Sequence, residues 1–469
     1  MSYKLDKKSF LGIQTFLFLI WLIFYIFQIE DVSVFRNILI FQYVFCLICG
    51  FIRFKLPHSY LLFLFSFALF LLSIIVFDGV DGVSMYYASK FIGYSISTHT
   101  IIVCLSTFFV ALVGLNIGSY FAPIKEKENN LEQNSRSDLL KVRKIAFIVI
   151  IICMPLCIMK LKHDYVQILS NGYLALFTDL ESAPFLYRIG WFLCQSLLPI
   201  LFLCNPPKRI FYSLILLFLL LNFLDFIKGA RGAIFRPLAF FLWYYYKFYT
   251  NKGISLKMVL IFVCILLSIS TWVLESRGDI IDANFVDIPS IAQDFVLSQG
   301  VSYYVNIYYL DYAEKLIQPS HFYILSPIID FIARFFNPVL RERSVSCVEQ
   351  TLSIDHKLTY AISPELYLNG NGLGGSFIIE LYAIAGFLSL LLGCICLGYL
   401  IVKVEAKLSR STNSTSIIFA WFWIQNLIWM PRGSILSFIP LYFTAMIFFY
   451  SISYGIKMKF SFKRSLHKV

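Results

Sequence analysis

The chain has 469 residues, of which 59% are hydrophobic, 18% aromatic and only 14% charged, and it carries a net charge of +12. Soluble domains run near a quarter charged, so this composition, with a mean hydropathy of +0.77, excludes an ordinary soluble protein. Segments of about 17–25 apolar residues cross a bilayer as helices, and twelve are predicted. In chain order they cover 9–28, 35–52, 59–77, 97–121, 145–161, 186–204, 210–227, 232–248, 257–274, 376–402, 416–430 and 434–455. The first follows Lys4, Lys7 and Lys8. It is too long for a signal-peptide core and no small-residue cleavage site follows it, so it reads as an anchor.

Two connections are long. Residues 122–144 are polar and of mixed charge, and are expected to form a flexible joint on the inner side. Residues 275–375 make one large outer loop. The expected organisation is therefore 1–121 with spans one to four, 122–144 as linker, 145–274 with spans five to nine, 275–375 as outer loop, and 376–469 with spans ten to twelve and a basic tail. No internal repeat is visible, which counts against a secondary transporter.

Charge placement orients the chain. With the N-terminus inside, the inner loops and their edges hold 24 Lys/Arg against 6 Asp/Glu, and the outer side holds 15 against 21. This is the positive-inside bias, so both termini are expected in the cytoplasm. The basic excess is a topogenic signal, and no nucleic-acid partner is expected. Of eleven cysteines, Cys347 alone falls in an outer loop, so that loop is expected to fold without an internal disulfide. Cys46 and Cys49 match C-x-x-C but sit mid-membrane, where they read as packing.

The outer loop holds YYVNIYYLDYAEKLI (303–317), with five tyrosines. Tyr303, Tyr304 and Tyr308 read either as an interfacial aromatic belt or as a platform for stacking sugar rings, since Tyr offers area plus a hydroxyl. The segment 321–336 is amphipathic around Asp330 and Arg334, the pattern of a helix lying in the membrane interface.

Arginine then appears where topogenic bias disfavours it. Arg231-Gly232, Arg277-Gly278 and Arg432-Gly433 all fall at the outer face, near Lys228 and Arg236 in the first case. Arg231 and Arg432 are expected at helix N-termini, where a cation is disfavoured by roughly 0.3–1 kcal/mol. An anion held by guanidinium forks and helix-end amides would relieve that, with Gly232 and Gly433 letting the backbone approach it. Protein carboxylates (Asp225, Glu275, Asp279) or lipid headgroups would supply the same charge.

The loop ends in NGNGLGGSFIIELYAIAG (369–386). Ser376 suits a helix N-cap, and Glu380 lies about one turn into the tenth span. A carboxylate there is costly enough to be functional by default, as a general base or as the partner of an arginine. His321 and His356 are alternative bases in the loop. No metal-ligand spacing occurs, so neither a metal nor another cofactor is expected.

These residues carry a resemblance. Gly229 to Gly232, SQGVS (298–302), LGGSFIIELY (373–382) and the Pro-Arg-Gly-Ser turn (431–434) resemble the Wzy-type O-antigen polymerases along most of the chain. The resemblance implies an all-α polytopic membrane protein of about twelve transmembrane helices, GT-C-like, with one large periplasmic loop, in the bacterial inner membrane. It implies a metal-independent, inverting glycosyltransferase working on oligosaccharide repeat units linked to undecaprenyl diphosphate, with membrane lipids around it and a chain-length regulator as partner. The growing glycan would pass from its lipid carrier onto the incoming unit. Arg231, Arg277 and Arg432 would bind diphosphate, and Glu380 or His321 would serve catalysis. Two other functions fit the same features: an O-antigen ligase, which relies on a loop histidine, and a flippase or transporter for the lipid-linked oligosaccharide.

Overall fold

A computed structural model describes residues 6–80, 83–86, 96–123, 136–171, 183–227, 232–250, 293, 296–341, 343–408 and 414–466. Among them every regular element is a helix, and seven helices are long and apolar enough to cross a membrane. In chain order the structure has α1 (Lys7–Ile26), α2 (Val32–Arg53), α3 (Ser59–Val76, with a π-helical turn at Ala68–Leu72), α4 (Thr98–Phe121), α5 (Arg136–Asn171) and α6 (Phe185–Phe202). After these come α7 (Lys208–Ile227) and α8 (Gly232–Phe248). The large loop contributes α9 (Ser302–Tyr312), α10 (Ser326–Phe336), α11 (Val345–Gln350), α12 (Ile354–Ile362) and α13 (Pro364–Leu368). The chain closes with α14 (Phe377–Leu408), α15 (Ser414–Trp429) and α16 (Ile439–Leu466).

Those seven helices are α1 to α6 and α14. The predicted span 257–274 lies outside the described residues. Two boundaries differ from the sequence reading. Residues 136–144, expected in the flexible joint, are already helical, because Val142, Ala146 and Ile150 recur every fourth residue and are all buried. The last helix starts at Ile439 rather than 434. Pro440 falls in its first turn, where a fixed φ suits helix initiation.

The chain divides into two compact units. The first is Met1–Lys125 with Lys252–Ala406 and Leu427–Leu436; the second is Glu126–Asn251 with Lys407–Asn426 and Ser437–Val469. In the first unit, α4 runs through the interior. Its Gly114 and Gly118 meet α14 so closely that a Cβ on Gly118 would lie 2.0 Å from the Ile395 carbonyl oxygen. A Cβ on Gly398 would lie 2.2 Å from the Leu115 carbonyl oxygen. Small residues of this kind let helix backbones touch, and such contact drives association where no hydrophobic force separates helix from lipid. An amide cluster adds polar glue. Gln14 donates to Gln42 (3.0 Å), Gln42 donates back (3.2 Å), and Asn116 donates to Gln14 (3.0 Å). Bonds of this class contribute roughly 0.6 kcal/mol each.

The second unit is built on aromatic packing. Phe202, Phe240 and Trp421 cluster, with ring centroids 5.8 Å apart for Phe202–Trp421 and 4.9 Å for Phe240–Trp421. The Tyr244 hydroxyl donates to the Phe202 carbonyl at 2.9 Å. Lys160 pairs with Asp164 at 2.6 Å and lies over the Trp191 ring, so neither charge is left uncompensated in an apolar setting.

The loop helix α10 is amphipathic in an inverted sense. Its Asp330 faces inward, accepting from Thr351 Oγ1 (2.7 Å) and the Leu352 amide (3.1 Å). Ile329, Ile332 and Phe336 are exposed on the other side.

Candidate active site

The end of the large loop is held in place before it enters α14. Gly374 has φ +85, a left-handed conformation that glycine adopts without a Cβ penalty. Its amide donates to Asp355 Oδ1 at 2.6 Å, and the neighbouring Leu373 amide donates to Thr359 Oγ1 at 3.1 Å. Asp355 and Thr359 are four residues apart on α12, so one helix face receives both amides. Ser376 then caps α14. Its hydroxyl accepts from the Ile378 amide (3.3 Å) and its carbonyl from the Glu380 amide (3.2 Å).

Glu380, in the first turn of α14, is 1% exposed. Its carboxylate accepts from the Ile435 amide at 3.0 Å and from the Ser434 hydroxyl. It thereby ties the start of α14 to the turn that carries Arg432 and Gly433. A 3-10 turn at Met430–Arg432 extends α15, and the Gly433 amide bonds back to the Met430 carbonyl at 3.1 Å. Arg432 therefore sits at the C-terminal end of a helix, with its guanidinium 5.5 Å from the Trp429 ring centroid. A cation is favoured there. The expectation of an N-terminal position fails because α16 begins only at Ile439. The glycine stretch and the Arg432 turn touch: a Cβ on Gly374 would lie 3.5 Å from the Arg432 carbonyl oxygen.

Arg343 reaches the glycine stretch from the loop side. It pairs with Asp355 (3.5 Å), donates to the Asn371 carbonyl and lies 5.3 Å from the Tyr367 ring centroid. Tyr367 is fully buried, and burial pushes its hydroxyl pKa up. Its hydroxyl and His356 Nδ1 share a hydrogen bond of 2.8 Å. Burial in turn lowers the His356 pKa below its ordinary 6.5. A depressed folded-state pKa contributes stability above the ordinary value, and that contribution is lost as pH falls through it towards the folded value. Limited proteolysis of the loop is therefore expected to accelerate as pH drops from about 7.5 to about 5.5, and His356→Gln is expected to flatten that dependence.

One turn beyond Glu380 the helix breaks. Ala385 (φ −158, ψ 38) and Gly386 (φ 65, ψ −139) are non-helical. Ser389 bridges the gap, accepting from the Ala385 amide (2.8 Å) and donating to the Leu381 carbonyl (2.7 Å). Exposed His321 contributes from the loop, its Nδ1 lying 2.8 Å from the Ala383 carbonyl oxygen. A carbonyl only accepts, so Nδ1 carries the hydrogen and the lone pair of the neutral ring lies on Nε2. Interrupted spanning helices are tolerated where they are buried in protein or line a cavity.

The other predicted site residues fall as follows. Arg231 and Arg277 lie outside the described residues. Gly232 opens α8, where a Cβ would sit 3.1 Å from the guanidinium of Arg236. Tyr303, Tyr304 and Tyr308 are at most 7% exposed. They pack inside the first unit, Tyr303 edge-on to Phe108 on α4, and present no open ring face for stacking. Sequence reasoning missed Arg343 and Asp355. Their available signal was the i, i+4 pair Asp355 and Thr359, a polar helix face directly before a glycine-rich segment.

The model of the family described as O-antigen polysaccharide polymerase Wzy matches residues 10–464. Neither a curated protein nor a solved structure gives a significant match. That match covers nearly the whole chain and includes the glycine stretch, Glu380 and the Arg432 turn. The chain belongs to the Wzy family of O-antigen polysaccharide polymerases, multi-pass membrane transferases of lipopolysaccharide biosynthesis.

Proposed function

We propose that this chain works at the periplasmic face of the inner membrane, moving a growing glycan from undecaprenyl diphosphate onto an incoming lipid-linked repeat unit. One observation carries the reading. Two motifs far apart in sequence, 373–382 and 431–434, are joined through the Glu380 carboxylate and the Ile435 amide. A guanidinium, that of Arg432, stands on the joined turn.

The chemistry is a displacement at the anomeric carbon. The acceptor hydroxyl oxygen attacks, the bond from that carbon to the diphosphate oxygen breaks, and the electron pair leaves with the diphosphate. Attack from the face opposite the leaving group inverts the anomeric centre. Arg432, joined by Arg231 and Arg277, stabilises the charge that builds on the leaving diphosphate. The acceptor proton goes to His321 Nε2, whose orientation follows from its Nδ1 bond to Ala383. Glu380 is committed to the Ser434–Ile435 backbone and acts by positioning the Arg432 turn. Twelve spans with both termini cytoplasmic, and a chain-length regulator as partner, complete the proposal.

Arg432→Lys tests it. Lysine keeps the charge and loses the planar fork that matches phosphate oxygens. The lipopolysaccharide ladder is expected to collapse to a single repeat on lipid A–core, with protein level unchanged on immunoblot. An unaltered ladder would remove Arg432 from the site. Loss of every repeat in a deletion strain would indicate ligation to lipid A–core instead.

A further inference from the structure

We propose that Arg343 and Asp355 are a positioning pair that holds the glycine stretch 370–375 against the Arg432 turn, and that Arg343 is not itself a ligand of the lipid diphosphate. The inference rests on the reading that the Arg432 turn receives the diphosphate.

Arg343, in the large loop, invites the same role as the three Arg-Gly arginines, yet its surroundings argue otherwise. The Arg343 side chain is 12% exposed and directed into the protein. Its guanidinium faces the Asp355 carboxylate, the Asn371 carbonyl and the Tyr367 ring. A diphosphate brought to that place would meet the Asp355 carboxylate as well, and like charges at such distances repel. Asp355 is also engaged on its other oxygen, which takes the Gly374 amide at 2.6 Å.

The contacts form a chain from the loop to the site. Arg343 orients Asp355, Asp355 holds Gly374 in its left-handed conformation, and Gly374 lies against the Arg432 carbonyl. A Cβ on Gly372 would come 2.5 Å from Arg343 Nη2, so a side chain there would displace the guanidinium from its partners. The glycines here make space for the clamp as much as for a substrate. A guanidinium acting through backbone placement affects how well the reacting groups are aligned. It leaves the affinity for the leaving group nearly untouched.

The test separates turnover from diphosphate binding in purified full-length protein. Arg343→Gln, Asp355→Asn and the double variant are assayed for kcat on undecaprenyl-diphosphate-linked repeat units and for affinity toward undecaprenyl diphosphate alone. Each single variant is expected to lose at least tenfold in kcat while binding within twofold of the parent, and the double variant is expected to be no worse than either. Arg343→Lys, which keeps the ion pair, is expected to recover part of the rate. The proposal is overturned if Arg343→Gln weakens diphosphate binding as much as Arg432→Gln does, or if Asp355→Asn turns over normally. Should the charge variants fail to fold, Gly374→Ala strains the same stretch without removing a charge; full turnover in that variant also overturns the clamp. Undiminished diphosphate binding by Arg432→Gln sinks the site assignment instead, and the non-additivity of the Arg343 and Asp355 variants still judges the pair.

Discussion

Gly118→Ala is expected to destabilise the protein strongly. The added methyl would sit 2.0 Å from the Ile395 carbonyl oxygen and 2.8 Å from the Tyr399 amide nitrogen. Both are backbone atoms in the middle of α14, so no side-chain rotation relieves the clash. Overpacking a core costs roughly 1–3 kcal/mol where neighbours can shift, and more where they cannot. A loss above about 3 kcal/mol is a large share of the roughly 5–15 kcal/mol by which proteins are stable. Gly12→Ala is the matched control. No atom lies within 4 Å of its Cβ position on α1, and alanine in a helix is favoured over glycine by about 1 kcal/mol. Thermal unfolding in detergent, read beside size-exclusion profiles, is expected to show the two substitutions moving in opposite directions. Equal melting points would mean that α4 and α14 do not cross at these glycines.

Glu380→Leu and Glu380→Gln are expected to diverge. Leucine leaves the Ile435 amide and the Ser434 hydroxyl without their acceptor, and each buried orphan costs about 1–3 kcal/mol. The Arg432 turn then loses its tie to α14, and the polymer ladder is expected to vanish. Glutamine keeps an acceptor oxygen in place, so the turn stays put and the ladder is expected to persist at reduced intensity. This outcome, read on gels of cell-surface polysaccharide with immunoblots for protein level, separates a positioning carboxylate from a base. A folded Glu380→Gln protein with no ladder would return the proton-transfer role to Glu380.

Much of the scaffold could be read directly from residue order, since hydrocarbon runs of membrane length are a local property. The Ser376 cap and the position of Glu380 in the first turn of α14 were legible for the same reason. What escaped depends on partners distant in sequence. Gly118 meets residues near 395, and Arg343 meets Asp355 and Asn371. Nothing in a single chain's local pattern pairs these positions. Arg432 was assigned to the wrong helix end because the proline that starts α16, Pro440, lies several residues beyond the arginine. The tyrosines of α9 misled for another reason. Every residue from Ser302 to Tyr309 is buried, and a helix enclosed on all sides shows no periodic face, so its aromatics read equally as belt, platform or core.

The break at Ala385 and Gly386 makes α14 two levers on one axle. The piece nearest the loop carries Glu380, while the longer piece holds the glycine crossing with α4. A rigid rod would pass any tilt at one end straight to the other. The break interrupts that rod, and Ser389 spans it through the Ala385 amide and the Leu381 carbonyl. Substitutions in the piece that carries Glu380 are therefore expected to leave the glycine seam with α4 intact.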